Sequence, residues 1–316
     1  LKDHYTYKQK SRKYKRDVMK NSAAPATQQF QDILQVLPHL PPPDLEAATA
    51  AMAAAAPANR ATLGWLARWQ GRPDPQLRHP RLTIFAANHG VGTIWRQPIA
   101  TVAVLAPILR QEGALIVAAE QADADLRVYD LNLNATTRDF TTAAAMTAQE
   151  TVTAITYGMA AVDNGLNLLA LASCGDGQEL ANAVIVAALT GKSVAALSAL
   201  QGVPGVASIT AAAERTHGLD PAALLENFGG AEIAALLGAM IAARMAHTPV
   251  VIADWGGLAA LCLLDKLDHR AAQHVALAGK LCEMDILPEQ QQLPSGIGDG
   301  LGLAAAQSII ALQAMI

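Results

Sequence analysis

At 316 residues and 33.0 kDa the chain can bury one large core or two modest ones. With 52% hydrophobic and 16% charged residues its surface is sparsely charged, a composition that favours closely packed helices and burial in an oligomer. Cys174, Cys262 and Cys282 form no C-x-x-C pair, which removes a disulfide scaffold and a structural zinc site from consideration. The longest apolar stretches carry charges or small polar residues and read as buried helices, not membrane spans.

The net charge of −4 conceals an asymmetry. Residues 1–20 hold eight Lys or Arg and only Asp3 and Asp17 as acids, while the rest holds 15 basic against 25 acidic residues. The stretch KQKSRKYKR has no apolar face and is followed by NSAAPATQQ, so residues 1–26 are expected to be a disordered leader and not a nucleic-acid or membrane anchor. Met19 is a candidate start, with the residues before it foreign to the native chain. No signal-peptide pattern opens the chain, and the cytoplasm is the expected compartment.

Residues 27–58 form a first helical unit. FQDILQVL has helical spacing, PHLPPPD breaks it, and DLEAATAAMAAAA restarts it behind an acid. ATLGWLARWQ at 61–70 puts Leu63, Leu66 and Trp69 on one face, where the two tryptophans serve the core. LTIFAA at 82–87 is a short strand that runs into Asn88-His89-Gly90-Val91-Gly92. A strand ending in small polar residues and glycines suits the carboxyl edge of a parallel sheet, where open α/β proteins bind ligands. There His89 either donates to an anionic group or orients the loop.

Residues 99–120 read as one helical stretch, 126–131 as a second strand ending at Asp130, and 132–142 as a polar loop. The helix at 147–161 opens on Thr147 with Glu150 in the capping-box position. A third strand at 168–172 ends in Ser173-Cys174-Gly175-Asp176-Gly177-Gln178-Glu179, and the helix ANAVIVAAL follows. Polar side chains beside two glycines at a strand-to-helix turn make this a candidate anion site. It is not a Walker A motif, and no G-x-S-x-G elbow surrounds Ser173 and Cys174. Cys174 reads as a small buried residue. Residues 194–220 are less regular. Helices at 221–227 and 231–246 precede a fourth strand at 249–253, which ends at Asp254-Trp255-Gly256-Gly257. The eight histidines include no HExxH pair. The recurring order of strand, polar or glycine turn and helix predicts an α/β fold with a mostly parallel sheet.

GIGDGLG at 296–302 sets one carboxylate, Asp299, among four glycines ahead of a helical run. Asp299 is the best single candidate for a catalytic or ligand-facing acid, and an N-cap role stands beside it.

The ordered set of LGWL at 63–66, AANHGV at 86–91, AAAMT at 143–147, YGM at 157–159, the 168–182 strand and loop, LENFGGAEIAALLGAMIAARMAHTPVVIADW at 225–255 and GIGDGLGLAAA at 296–306 resembles the nicotinate-nucleotide–dimethylbenzimidazole phosphoribosyltransferase family across residues 27–316. The resemblance implies a Rossmann-like parallel sheet flanked by helices in a large α/β domain at 79–278. A smaller helical domain would come from 27–78 and 279–316. It also implies a homodimer, no metal and no cofactor. The reaction implied moves a phosphoribosyl group from nicotinate mononucleotide onto 5,6-dimethylbenzimidazole or a related base.

The same resemblance assigns the base role to Asp299 between Gly298 and Gly300, where the family carries glutamate. It places Asn88, His89, Gly90, Trp95, Gly175, Asp176, Gly177, Glu179, Asn182 and Asp254 at the nucleotide and the aromatic base. The chain departs from the family in several places. The family threonine pair is Ala183-Val184 here, read as lost hydroxyl donors. A family lysine that meets the phosphate falls near Val203, and TIWRQP at 93–98 brings Trp95 and Arg96 into the base-pocket loop. Two functions stand open on these residues. One is phosphoribosyl transfer with Asp299 as base. The other is a non-catalytic paralogue that acts as a ligand-binding, regulatory or partner subunit, in a homodimer or in a heteromer with an active relative.

Overall fold

A computed structural model describes residues 25–94, 100–202, 207–284, 286–287, 289–293 and 301–316. Residues 1–24 of the expected 1–26 leader and the readings made at Trp95, Arg96, Val203, Gly298, Asp299 and Gly300 lie outside the described residues, and Ala26 already opens the first helix.

In chain order the elements are α1 (Ala26–Leu34), α2 (Leu45–Ala54), α3 (Arg60–Gln70), β1 (Pro80–Ala86), α4 (Thr101–Leu109), α5 (Ala114–Gln121), β2 (Asp125–Asp130), α6 (Ala148–Ala160), β3 (Leu168–Cys174) and α7 (Gln178–Thr190). There follow α8 (Val194–Leu200), α9 (Ala207–Ala213), α10 (Pro221–Phe228), α11 (Ala231–Met245), β4 (Val250–Ile252), α12 (Trp255–Leu267), α13 (His269–Ala272), β5 (Val275–Leu277), β6 (Gln291–Gln292) and α14 (Leu303–Gln313).

Local chemistry sets the helix starts. Asp44 caps α2 by accepting from Ala47 N at 2.8 Å. Thr147 and Glu150 form the expected capping box at α6. The stretch read as one helix at 99–120 is two, α4 and α5, bent by 47° across a turn that holds Gln111 at a positive φ and Gly113. Residues 194–220 contain α8, α9 and a 3-10 turn where the sequence looked irregular.

Among the described residues six strands run parallel in the order β2-β1-β3-β4-β5-β6. β1 and β3 pair from Pro80↔Leu168 to Ala86↔Cys174 and are buried along their whole length. Their alternating side chains divide between two cores. Phe85, Leu169 and Leu171 join α6, α7 and α10 to α12 on one face. Leu82, Ile84, Ala170 and Ala172 face Leu66 and Trp69 of α3, with α5 and α14, on the other. Helices on both faces are what an all-parallel sheet requires. The two ends of the chain thus supply the helical part around α2, α3 and α14, with α2 seated on α3 through Ala47, Ala51 and Ala67. Trp69 is in the core, with the guanidinium of buried Arg244 4.3 Å above its ring.

The tightest helix pair is α6 on α11. A Cβ on Gly158 would sit 1.9 Å from Ala235 O, and one on Gly238 would sit 2.0 Å from Ile155 O. These two glycines bring backbone onto backbone, so Gly238→Ala must force the helices apart. The expected loss is about 1–3 kcal/mol, the usual cost of overpacking, read from the urea midpoint. An unchanged midpoint would refute the close packing.

Candidate active site

β1 connects to β2 on one side and β3 to β4 on the other, so the loops leaving their carboxyl ends part company. Such a switch point is where open α/β sheets hold ligands. Here the two loops are laced together. Ala87 N donates to Cys174 O at 3.0 Å and His89 N to Asp176 O at 2.9 Å. Asn88 works as the knot. Its Nδ2 donates to Leu133 O at 2.9 Å, and its Oδ1 accepts from Thr101 Oγ1 and, at 3.2 Å, from Asp176 N. Gly90 N donates to Thr137 Oγ1 at 3.1 Å. Gly175 permits this lacing because a Cβ there would sit 1.9 Å from Ala87 O. Gly177, at φ +81°, turns the chain into α7.

Beyond this lacing a cavity of about 590 Å³ opens over the carboxyl ends of β3, β4 and β5. Gly175, Asp176, Gly177, Glu179, Asp254 and Lys280 face it. Burial raises the carboxyl of Asp176, opposed by the charge of His89. Burial also raises Glu179, against a hydrogen bond from its own main chain. Asp254 is pushed up to about 6, chiefly by burial, although its oxygens are well supplied with donors. Oδ1 accepts from Gly257 N at 2.7 Å, which caps α12, and Oδ2 accepts from Ser173 N at 2.6 Å. The Cys174 thiol is pushed up to about 12 by burial and the neighbouring acids, so it is not a thiolate nucleophile at neutral pH. Among the described residues no three His, Cys, Asp or Glu side chains converge as a metal-holding set.

Behind the cavity His89 and Glu232 form a fully buried pair, Nε2 to Oε1 at 2.6 Å. Burial alone would depress the imidazole. The charge and hydrogen bond of Glu232 outweigh it, aided by Glu179 and Asp176, and hold the pKa of His89 above its ordinary value. The pair ties the β1 loop to the first turn of α11 across 143 residues of sequence.

Of the residues singled out from sequence, Gly175, Asp176, Gly177, Glu179 and Asp254 meet on one cavity. Asn88 and Gly90 hold its loop from behind, and His89 orients that loop instead of facing a ligand. Asn182 is buried in α7 away from the cavity, its Oδ1 without a hydrogen-bond partner. Ala183 and Val184 are wholly buried core residues. Reading them as lost hydroxyl donors is therefore corrected, because at these positions α7 faces the interior. Trp95, Gly298, Asp299 and Gly300 lie outside the described residues, while Leu301, next in the chain, lines the cavity.

The sequence reading missed Thr101, Gln201, Glu232 and Lys280. Glu232 did leave a signal. It and Arg244 are the only charges within α11, and both are buried. Gly279-Lys280 follows β5, a strand of three residues that no periodicity reveals.

Residues 60–284 match the family model described as DBI_PRT, phosphoribosyltransferase. The chain is 33% identical over 311 residues to the nicotinate-nucleotide–dimethylbenzimidazole phosphoribosyltransferase of Methylocella silvestris, covering 89% of this chain and 91% of that one. It is 31% identical over 315 residues to the Brucella anthropi protein of the same name, at 90% and 93% coverage. The crystal structure of the Thermus thermophilus protein of that name superposes with a TM-score of 0.71 at 22% identity, over 86% of this chain and 93% of that one.

Proposed function

Because the chain belongs to the DBI_PRT phosphoribosyltransferase family, we propose that it transfers the phosphoribosyl group of nicotinate mononucleotide to 5,6-dimethylbenzimidazole or a related azole or phenol. The observation that carries this reading is the acid-lined cavity at the sheet's carboxyl edge, present in a chain that matches its relatives along nearly their whole length. The donor joins a cationic pyridinium ring to ribose. In the displacement a base nitrogen forms a bond to the anomeric carbon while the bond to the pyridinium nitrogen breaks and its electron pair neutralises the ring. Attack from the opposite face inverts that carbon and gives the α-riboside phosphate with nicotinate. Positive charge gathers on the ribose carbon at mid-reaction, and acids such as Asp176 and Glu179 stabilise it electrostatically. The proton leaving the attacking base goes to Asp299 in this proposal.

The separation of this reading from a non-catalytic one is direct. Purified protein at high concentration, given nicotinate mononucleotide and dimethylbenzimidazole, is expected to release nicotinate and form riboside phosphate in equal amounts, resolved by chromatography. If no nicotinate appeared with any of several azole and phenol acceptors, transfer would be abandoned in favour of a ligand-binding or partner-subunit role. Val203, where the family carries a phosphate-binding lysine, is the sequence feature that favours that second role.

A further inference from the structure

We infer that Lys280 receives the phosphate of the ribose 5-phosphate donor, so that the cavity binds its substrate as a dipole with the cationic ring toward β3 and the phosphate toward β5. This rests on the proposed function above, whose donor carries a cation at one end and a phosphate at the other.

Three features of the cavity lead there. The first is where its charges lie. Asp176 and Glu179 follow β3, Asp254 follows β4, and Lys280 follows β5. Among the described residues that line the cavity, Lys280 is the one Lys or Arg. β3 and β5 stand two strands apart, about 10 Å by the usual strand spacing. The acidic and basic ends are therefore separated on the scale of one nucleotide.

The second feature removes the usual alternative. A phosphate on this edge of an α/β sheet would ordinarily sit at a helix amino end. Two such ends face the cavity, and each has an acid of the chain beside it. At α12 the Asp254 carboxylate accepts from Gly257 N at 2.7 Å. At α7 Glu179 lies in the first turn. A phosphate at either end would meet a carboxylate.

The third feature concerns the turn at 201–202. Gln201 and Gly202 line the same cavity, so the chain reaches it immediately before Val203, and Val203 brings no charge. Lys280 is exposed and projects from the turn directly after β5, on the carboxyl edge where the ligand enters. Its ammonium is a compact charge with three donors on a flexible stem, suited to a phosphate.

The test compares nicotinate mononucleotide with nicotinate riboside, which lacks only the phosphate, by calorimetric titration of the full-length protein. The unaltered protein is expected to prefer the phosphorylated ligand about 10- to 100-fold, the range of a charge-assisted hydrogen bond. Lys280→Met should bring nucleotide affinity down to that of the riboside and leave riboside affinity unchanged. Lys280→Arg should keep most of the preference. Thermal melting of each variant checks that this exposed substitution leaves the fold intact. A Lys280→Met protein that still prefers the nucleotide by the full factor would overturn the assignment, as would an unaltered protein with no preference. Nicotinate release measured in parallel separates this inference from the function beneath it. Turnover with an unaffected Lys280→Met variant defeats the lysine alone. Lysine-dependent binding without turnover supports the lysine and defeats the reaction.

Discussion

Glu232→Ala is expected to destabilise the fold by about 3–5 kcal/mol, the range for breaking a buried ion pair by removing one member. Both side chains of the pair are fully buried, and His89 Nε2 lies 2.6 Å from Glu232 Oε1. Their remaining polar atoms, Nδ1 and Oε2, have no hydrogen-bond partner, so each group relies on the other. Taking away the carboxylate leaves an imidazole whose charged form nothing nearby compensates at contact distance. The loss should depend on pH with a definite sign. The pKa of His89 is raised in the fold, so its contribution is fully present below the unfolded value of about 6.5 and is lost as pH rises through the folded one. In the alanine variant burial acts without its counterweight and depresses the imidazole, so acid now opposes folding. Urea titrations at two pH values on either side of the histidine range should give a larger gap between the proteins on the acid side. Asp254, pushed up to about 6 chiefly by burial and in smaller part by the charge of Glu232, adds a change of the same sign that is larger in the unaltered protein and widens the gap on the acid side. A gap below 1 kcal/mol that did not vary with pH would show that the pair contributes nothing. Replacing both partners by leucine should recover part of the loss, since a buried pair exchanged for apolar side chains is often close to neutral.

The fold was legible where segments were long enough to show a period. LTIFAA and the run at 168–172 are strands bounded by polar or glycine turns, and both became central strands of the sheet. β5 and β6 were not legible, because three and two residues carry no alternation and take their conformation from the neighbouring strand. The 99–120 run hid a bend at Arg110-Gln111-Glu112-Gly113, since the apolar stretches on either side of it both have helical composition. At the site, Gly175, Asp176, Gly177 and Glu179 could be read from the strand-to-helix turn, and Asp254 from the next one. Asn182, Ala183 and Val184 could not be placed. α7 is apolar nearly all round, and a pattern without an amphipathic face does not tell which side meets the cavity. Glu232 stands in the first turn of α11, where an acid ordinarily complements the helix dipole. Its function comes from a histidine 143 residues earlier, and one sequence contains no sign of that distance.

Asp299→Ala is expected to lower kcat by about 10²- to 10⁴-fold, the usual worth of a positioned general base, and to leave nucleotide binding in place. The other acids of the cavity are committed elsewhere. Burial pushes Asp254 up to about 6, yet both its oxygens already accept main-chain N–H groups that fix α12 and the end of β3. Glu179 is engaged by its own main chain at the amino end of α7. Asp176 lies beside Gly92, on the acid side of the cavity where the ring of the donor is proposed to sit. An acid there faces the departing group, whereas the acceptor must attack from the opposite side of the ribose. Asp299 stands two residues before Leu301, which lines the cavity. A base contributes only in its ionised form, so the kcat of the unaltered protein should fall on the acid side of its carboxylate titration. In Asp299→Asn that limb should vanish together with most of the rate, since the amide keeps the shape and loses the basicity. Asp299→Glu should restore transfer, because it returns the longer acid found in the family loop. If the alanine variant kept more than about a tenth of kcat, less than the least a general base contributes, Asp299 would not be the base.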